Sequence, residues 1–296
     1  MGMDTKISWC DASWNPWIGC TKVSQGCRAC YAESLMDHRY GKVQWGPEGT
    51  RVRTSDVNWR KPLTWNRKAG KEGRRYKVFC ASLADVFEDR PELVEWRVEL
   101  FRLIVHTPAL DWLLLTKRPQ HVMGLMNEMG WPSLMDNVWL GTSVENQEQA
   151  DKRIPELLKV PARIRFLSCE PLLGPVDLRT GGYLTGGWTG AALPGIGWVI
   201  AGAESGHGAR PMDLDWVRSL RDQCQGAGTP FFFKQAILIG KKTELPLLDG
   251  RRWAQFPAVN GGAISLDDLP RNGWATLDRQ GNIEEYDGEW DGDAEE

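Results

Sequence analysis

Seven short apolar runs, rich in β-branched and aromatic residues, constrain this chain more than any other feature. They are "KISW" (6–9), "KVFCAS" (77–82), "DWLLLT" (111–116), "NVWLGTS" (137–143), "RIRFLS" (163–168), "GWVIAG" (197–202) and "PFFFKQ" (230–235). Each is nearly continuous rather than alternating, the pattern of strands buried on both faces of a parallel sheet. Amphipathic helices are expected between them. In "RPELVEWRVELFRLIVHTP", Pro91 stands at a first helical position, Leu93, Trp96, Leu100, Leu103 and Ile104 share a face, and Pro108 closes the segment. In "DLDWVRSLRDQCQG", Asp213 is the expected N-cap, Trp216, Val217, Leu220 and Cys224 form one stripe, and Gly226 is the expected stop. "YAESLMDHRYG" and "PQHVMGLMNEMG" predict two shorter helices. Strand and helix in repeated alternation predict an α/β fold with a parallel sheet.

Polar residues follow nearly every run: Ser82 and Asp85, Thr116 and Lys117, Ser143 and Glu145, Ser168 and Glu170, Glu204 and Ser205, Lys234 and Gln235. One such residue is ordinarily a cap or turn former. Six strands ending the same way predict a polar pocket at the C-terminal mouth of a partial (β/α) barrel, rather than a doubly wound sheet.

The chain has 296 residues, a net charge of -3 and a pI near 5.9, so nothing global draws it to nucleic acid or anionic membrane. No long apolar run predicts a membrane span, and "MGMDTKISWCDASWNPW" lacks the layout of a secretion signal, so a cytoplasmic protein is expected. Residues 1–240 are assigned to the barrel domain and 241–296 to a C-terminal extension, whose acidic part from about Gly261 is expected to be a poorly ordered tail. The Gly- and Pro-rich stretch 171–197 is a candidate cover for the mouth, or else a surface hairpin. Residues 51–77 carry ten Lys or Arg, with Trp59, Trp65 and Tyr76 interleaved. Cations that neutralise phosphates beside aromatic faces that stack on bases make this stretch a candidate nucleotide or nucleic-acid contact; the bland alternative is a solvated loop.

Three cysteines fall within eleven positions in "IGCTKVSQGCRACYAE": Cys20, Cys27 and Cys30, spaced C-x6-C-x2-C. An odd total of seven cysteines without a secretion signal disfavours a disulfide framework. Zinc needs a fourth ligand, for which Cys10 and His38 are the candidates. A [4Fe-4S] cluster held by three thiolates leaves one iron without a protein ligand, where a small molecule can bind beside the electron source. Cys30 opens the expected helix 31–40, whose N-terminal end favours nearby thiolates.

Three clustered cysteines after the first strand of a partial β/α barrel resemble the radical S-adenosylmethionine (SAM) superfamily. More narrowly, "WNPWIGCTKVSQGCRACYAE", "LLLTKRP", "VWLGTSVEN", "FLSCEPLLGPVDL", "WVIAGAESGHGARPMD" and "PFFFKQ" resemble a phage-associated, radical-SAM-like family of unassigned function, over about residues 5–240. The first cysteine gap is six residues rather than the usual three, and Ala29 stands where an aromatic is common. "SLADVF" replaces a Gly-Gly-Glu motif, and Glu204 sits one position early in the approximate adenine motif. The resemblance implies a radical-SAM-like barrel in which Cys20, Cys27 and Cys30 hold a [4Fe-4S] cluster that binds SAM. An electron donor and an unknown substrate, such as a nucleotide or nucleic acid, complete the implied system. By position, Ser82, Asp85, Glu170 and Glu204 are candidates for the SAM amine or ribose. Lys117, Arg210 and Lys234 are candidates for a carboxylate or an anionic substrate; ion pairs of purely structural role are the alternative. Two rival functions are a zinc-stabilised nucleic-acid-binding protein without turnover and an interaction protein on a degenerate barrel.

Overall fold

The structure is a computed structural model that describes residues 3, 5–131, 133–184, 195–206, 208–238 and 241–258, with the backbone of Trp274–Leu277 and Ile283–Tyr286. Eight strands form one sheet in chain order: β1 (Ala12–Ser13), β2 (Tyr76–Cys80), β3 (Leu110–Thr116), β4 (Val138–Ser143), β5 (Ile164–Cys169), β6 (Trp198–Gly202), β7 (Phe231–Leu238) and β8 (Lys241–Glu244). The first seven pair in parallel, in registers such as Phe79↔Leu113, Leu115↔Gly141 and Thr142↔Leu167. The last turns back and pairs antiparallel with β7. The sheet curls into a half-barrel with helices on its convex side: α1 (Asp56–Glu72), α2 (Val94–Val105), α3 (Val122–Glu128), α4 (Gln147–Lys159) and α5 (Leu214–Ala227). The α/β class and the parallel partial barrel are therefore as the apolar runs predict.

Alternate strand residues divide the core in two. Val78, Trp112, Leu114, Leu140, Leu167, Val199 and Phe231 face the helices. Phe79, Leu113, Trp139, Phe166, Trp198, Ile200 and Phe232 fill the concave side, together with Trp9. Trp9 corrects the expectation for "KISW": residues 6–9 form no strand, and β1 is the two-residue Ala12–Ser13. The Trp9 indole folds into the barrel instead, with its centroid 4.7 Å from Phe79 and 6.2 Å from Trp198. Burying so large a ring outweighs a strand register for four residues. The packing is tight enough to dictate a glycine: a methyl on Gly141 would lie 2.3 Å from the Phe166 ring. Gly141→Ala is expected to cost about 1–3 kcal/mol, read as a lower denaturant midpoint; an unchanged midpoint would show that the floor can yield.

Helix α1 takes up most of residues 51–77, for which a solvated loop is the alternative reading of the sequence. Ser55 caps it, accepting from the Asn58 N–H, and Gly73 ends it at φ +62°. Pro62 inside it has no N–H to offer the Asn58 carbonyl. The Trp14 indole N–H takes its place there, at 2.8 Å. Trp59, Trp65 and Tyr76 are buried, so they are core residues and not stacking platforms. Arg51, Arg53, Lys68, Arg74 and Arg75 are ion-paired within the chain. The aromatic part of the expected contact strip is therefore buried in the core, and half of its ten cations are ion-paired within the chain.

Other boundaries shift in detail. Pro91 opens a 3-10 turn, Pro91–Leu93, before α2. Asp213 caps α5 by accepting from the Asp215 N–H, but α5 runs through Gly226 to Ala227, and Gly228 at φ +67° ends it. The helix after Cys30 is one α-turn, Tyr31–Glu33, continued as a π-helix, Ser34–Arg39. Met36 and Cys30 there pack on a satellite core of Ile18, Ala32, Val43 and Leu83.

The described part of 171–197 meets the cavity at Pro171. From Leu172 through Val176 and Leu178 it is buried against the helical side, pinned to Gln223 of α5, and Leu184 bridges Ile196 just ahead of β6. Residues 185–194 of this connection between β5 and β6 lie outside the described residues. Beyond residue 240, β8 extends the sheet and Trp253 packs on Phe231. The acidic tail lies outside the described residues, except for an antiparallel pair, Trp274–Leu277 with Ile283–Tyr286. No helix among the described residues is long and apolar enough to cross a membrane.

Candidate functional site

Above the aromatic floor, the strand C-terminal ends and the loop after β1 enclose a cavity of about 520 Å³. Cys20, Cys27 and Cys30 all line it. So do Ser82, Asp85, Lys117, Glu170, Glu204 and Lys234, every residue put forward as a SAM or substrate contact except Arg210; Glu145, expected at the same mouth, does not. Trp9, Phe79 and Leu115 close the bottom, so one end of the cavity is apolar and the other polar. All seven cysteines are free thiols, and Cys10 does not line the cavity. Among the described residues, no group of three or more His, Cys, Asp or Glu side chains converges on a point as single-ion ligands. Neither Cys10 nor His38 completes the zinc tetrahedron considered from the sequence.

Cys20 is held by a buried ionic network that joins distant parts of the chain. Arg51 clasps Glu88 through two 2.7 Å contacts and donates to Thr21 Oγ1 at 2.9 Å. Arg118 donates to Asp85 at 2.9 Å, to the Thr21 carbonyl at 2.7 Å and toward Cys20 Sγ at 3.6 Å. The four side chains are at most 7% exposed. Burial pushes the Cys20 thiol up to about 12, Asp85 adds to this, and Arg118 opposes it. Burial likewise raises the Cys30 thiol; the Glu33 and Ala32 N–H groups oppose that, though neither closes to a capping hydrogen bond.

The acids of the cavity differ in what they leave free. Asp85 accepts from the Phe87 and Lys117 N–H groups, Thr116 Oγ1 and Arg118. Burial disfavours its charge, but Arg118 and these donors hold its pKa below the ordinary value. Asp85 therefore braces the turn after β3, with both oxygens engaged. Glu204 is clasped by the Arg210 guanidinium and backbone N–H, and Arg210 stands behind it rather than in the cavity wall. Glu170 Oε1 lies 2.9 Å from Lys234 Nζ, a contact outside hydrogen-bond alignment. Gly202 leaves the room for it, since a methyl there would meet Glu170 Oε1 at 2.6 Å. The Ser82 hydroxyl is engaged by Asn15 at 3.0 Å.

Lys117 is different: its Nζ donates to Ser143 Oγ at 3.0 Å and has no carboxylate partner among the described residues. Gln235 is buried, donates to the Ala203 carbonyl at 2.6 Å and leaves Oε1 without a partner among the described residues. A part-buried cation and an orphaned acceptor in the wall of one cavity are available to a ligand.

Over residues 4–257 the sequence matches the family described as protein of unknown function, DUF5131. The chain belongs to the DUF5131 family. No curated protein and no solved structure matches it. The DUF5131 match takes in the cysteine loop, all eight strands and Trp253, so the whole cavity lies within the family's part of the chain.

Sequence reasoning missed Arg118 and Tyr31 as cavity residues, and placed Gln235 at the pocket only as one of the strand-end polar residues. The signal for Arg118 was its place in "TKRP" beside Lys117, at a strand end. Tyr31 directly follows Cys30 and donates to the Ser82 carbonyl at 2.8 Å, tying the cysteine loop to the turn after β2.

Proposed function

We propose that this DUF5131 protein is a radical SAM-type enzyme. Cys20, Cys27 and Cys30 would hold a [4Fe-4S] cluster with one iron open to SAM. The observation that carries this reading is that three free thiols from one loop line the same strand-end cavity. The donor set suits the group, since thiolates are the usual protein ligands of such clusters. The wall also carries opposite charges, Glu170 and Lys117, toward a cofactor whose amino-acid end is itself both cationic and anionic. When bound, the cluster would supply the electron that cleaves SAM to methionine and a 5'-deoxyadenosyl radical, which takes hydrogen from substrate.

The chain's own residues have distinct tasks in this reading. Arg51, Glu88, Arg118 and Asp85 fix Thr21 and so orient Cys20. Trp9, Phe79 and Leu115 keep water from below, which protects a reactive intermediate from quenching. Lys117 offers its charge to a carboxylate, and Glu170 beside Lys234 receives an amine or hydroxyl.

Anaerobic reconstitution followed by SAM and a strong reductant tests this. The expected products are 5'-deoxyadenosine and methionine. Colourless protein with about one zinc per chain, the stoichiometry of a structural site, and no SAM turnover would refute it. Lys117→Ala is expected to raise the SAM concentration needed for half-maximal cleavage about tenfold, as for loss of one charged hydrogen bond; an unchanged value would remove Lys117 from SAM binding.

A further inference from the structure

The middle cysteine sits on a latch that neither the family match nor the cluster reading requires. Glu145, at the end of β4, is fully buried. One oxygen accepts from Arg153 of α4 at 2.8 Å. The other accepts from Ser24 Oγ at 2.7 Å, and that hydroxyl lies 4.0 Å from Cys27 Sγ. Gly26, between Ser24 and Cys27, presses its backbone on the same carboxylate: a methyl there would fall 2.1 Å from Glu145 Oε1. Arg153 also donates to the Ser143 carbonyl at 2.8 Å, and the Leu173 N–H to the Glu145 carbonyl at 2.7 Å, so the carboxylate is fixed from the barrel side.

We infer that Glu145 is a positioning residue for the cysteine loop. Through Ser24 and the bare backbone of Gly26, it sets where Cys27 stands before any cofactor binds. A buried carboxylate paired to Arg153 is a rigid anchor, because moving it would leave Arg153 uncompensated. Ser24 is the side chain that carries this rigidity to the loop. The inference rests on the cluster reading only for the use of Cys27, and the latch itself is a property of the metal-free chain.

Hydrogen exchange of the metal-free protein tests the latch separately. Ser24→Ala is expected to raise exchange at residues 24–28 about tenfold, as expected when one hydrogen bond to a charged group is lost, with the sheet strands unchanged; Ser24→Thr keeps the hydroxyl and should stay near wild type. Gly26→Ala should loosen the same loop, and this effect should largely vanish in a Glu145→Ala background, where the collision is gone. In reconstituted protein, Ser24→Ala should lose iron to a chelator several-fold faster and Ser24→Thr should not. Unchanged exchange in Ser24→Ala, or additive effects of Gly26→Ala and Glu145→Ala, overturns the latch. Failure of wild-type protein to take up iron would overturn the cluster reading instead and leave the exchange result standing.

Discussion

Cys27→Ala is expected to abolish both iron retention and SAM cleavage. Reconstituted wild-type protein should bind about four irons per chain, the content of one cubane. With one of three thiolates missing, the remaining two cannot hold a cubane whose fourth corner has no protein ligand. Cys20→Ala and Cys30→Ala should behave alike, since all three thiols line the same cavity. Cys10→Ala is the informative control. Cys10 lies outside the cavity, its thiol pushed up to about 12 by burial and by Asp11, and its loss should leave iron content unchanged. Iron uptake by Cys27→Ala equal to that of wild type would contradict the assignment, as would loss of metal in Cys10→Ala.

Glu88→Ala is expected to be the most damaging single change to the fold around the site. The Arg51 side chain is 0% exposed, and Glu88 is its carboxylate partner in the described structure. Removing one member of a buried ion pair leaves the other charged and desolvated, at about 3–5 kcal/mol. The cost should appear as a large drop in the denaturant midpoint, with faster exchange around Thr21, which Arg51 and Arg118 both hold. Arg51→Met combined with Glu88→Leu should cost less than Glu88→Ala alone, because an apolar pair of similar volume leaves no stranded charge. A loss under about 1 kcal/mol, the value of an exposed pair, would show that water reaches Arg51.

The fold was largely legible because strands buried on both faces have to be apolar without interruption. That rule failed where tertiary packing decided. Trp9 left the strand pattern for the barrel interior, and α1 escaped notice because Pro62 and dense charge hide a helix whose open carbonyl is satisfied by Trp14, 44 positions away. In the site, close spacing betrayed the three thiols, and strand-end positions brought Ser82, Asp85, Lys117, Glu170, Glu204 and Lys234 to one cavity. What each can do was not legible. Asp85 and Glu204 are occupied by Arg118 and Arg210, whereas Lys117 has no carboxylate partner among the described residues, and these pairings depend on side-chain reach in the folded barrel. The Arg51–Glu88–Arg118 network links the segments around residues 20, 51, 88 and 118, and no local pattern announces it.

The central claim is that three thiolates grip an iron-sulfur cluster and leave one iron for SAM. Electron paramagnetic resonance of the reconstituted, chemically reduced protein, recorded before and after SAM is added, addresses it most directly. The account predicts a spin-half cluster signal whose g values move when SAM binds the open iron. A signal that SAM does not move, or the lack of any cluster signal in fully reconstituted protein, would contradict it.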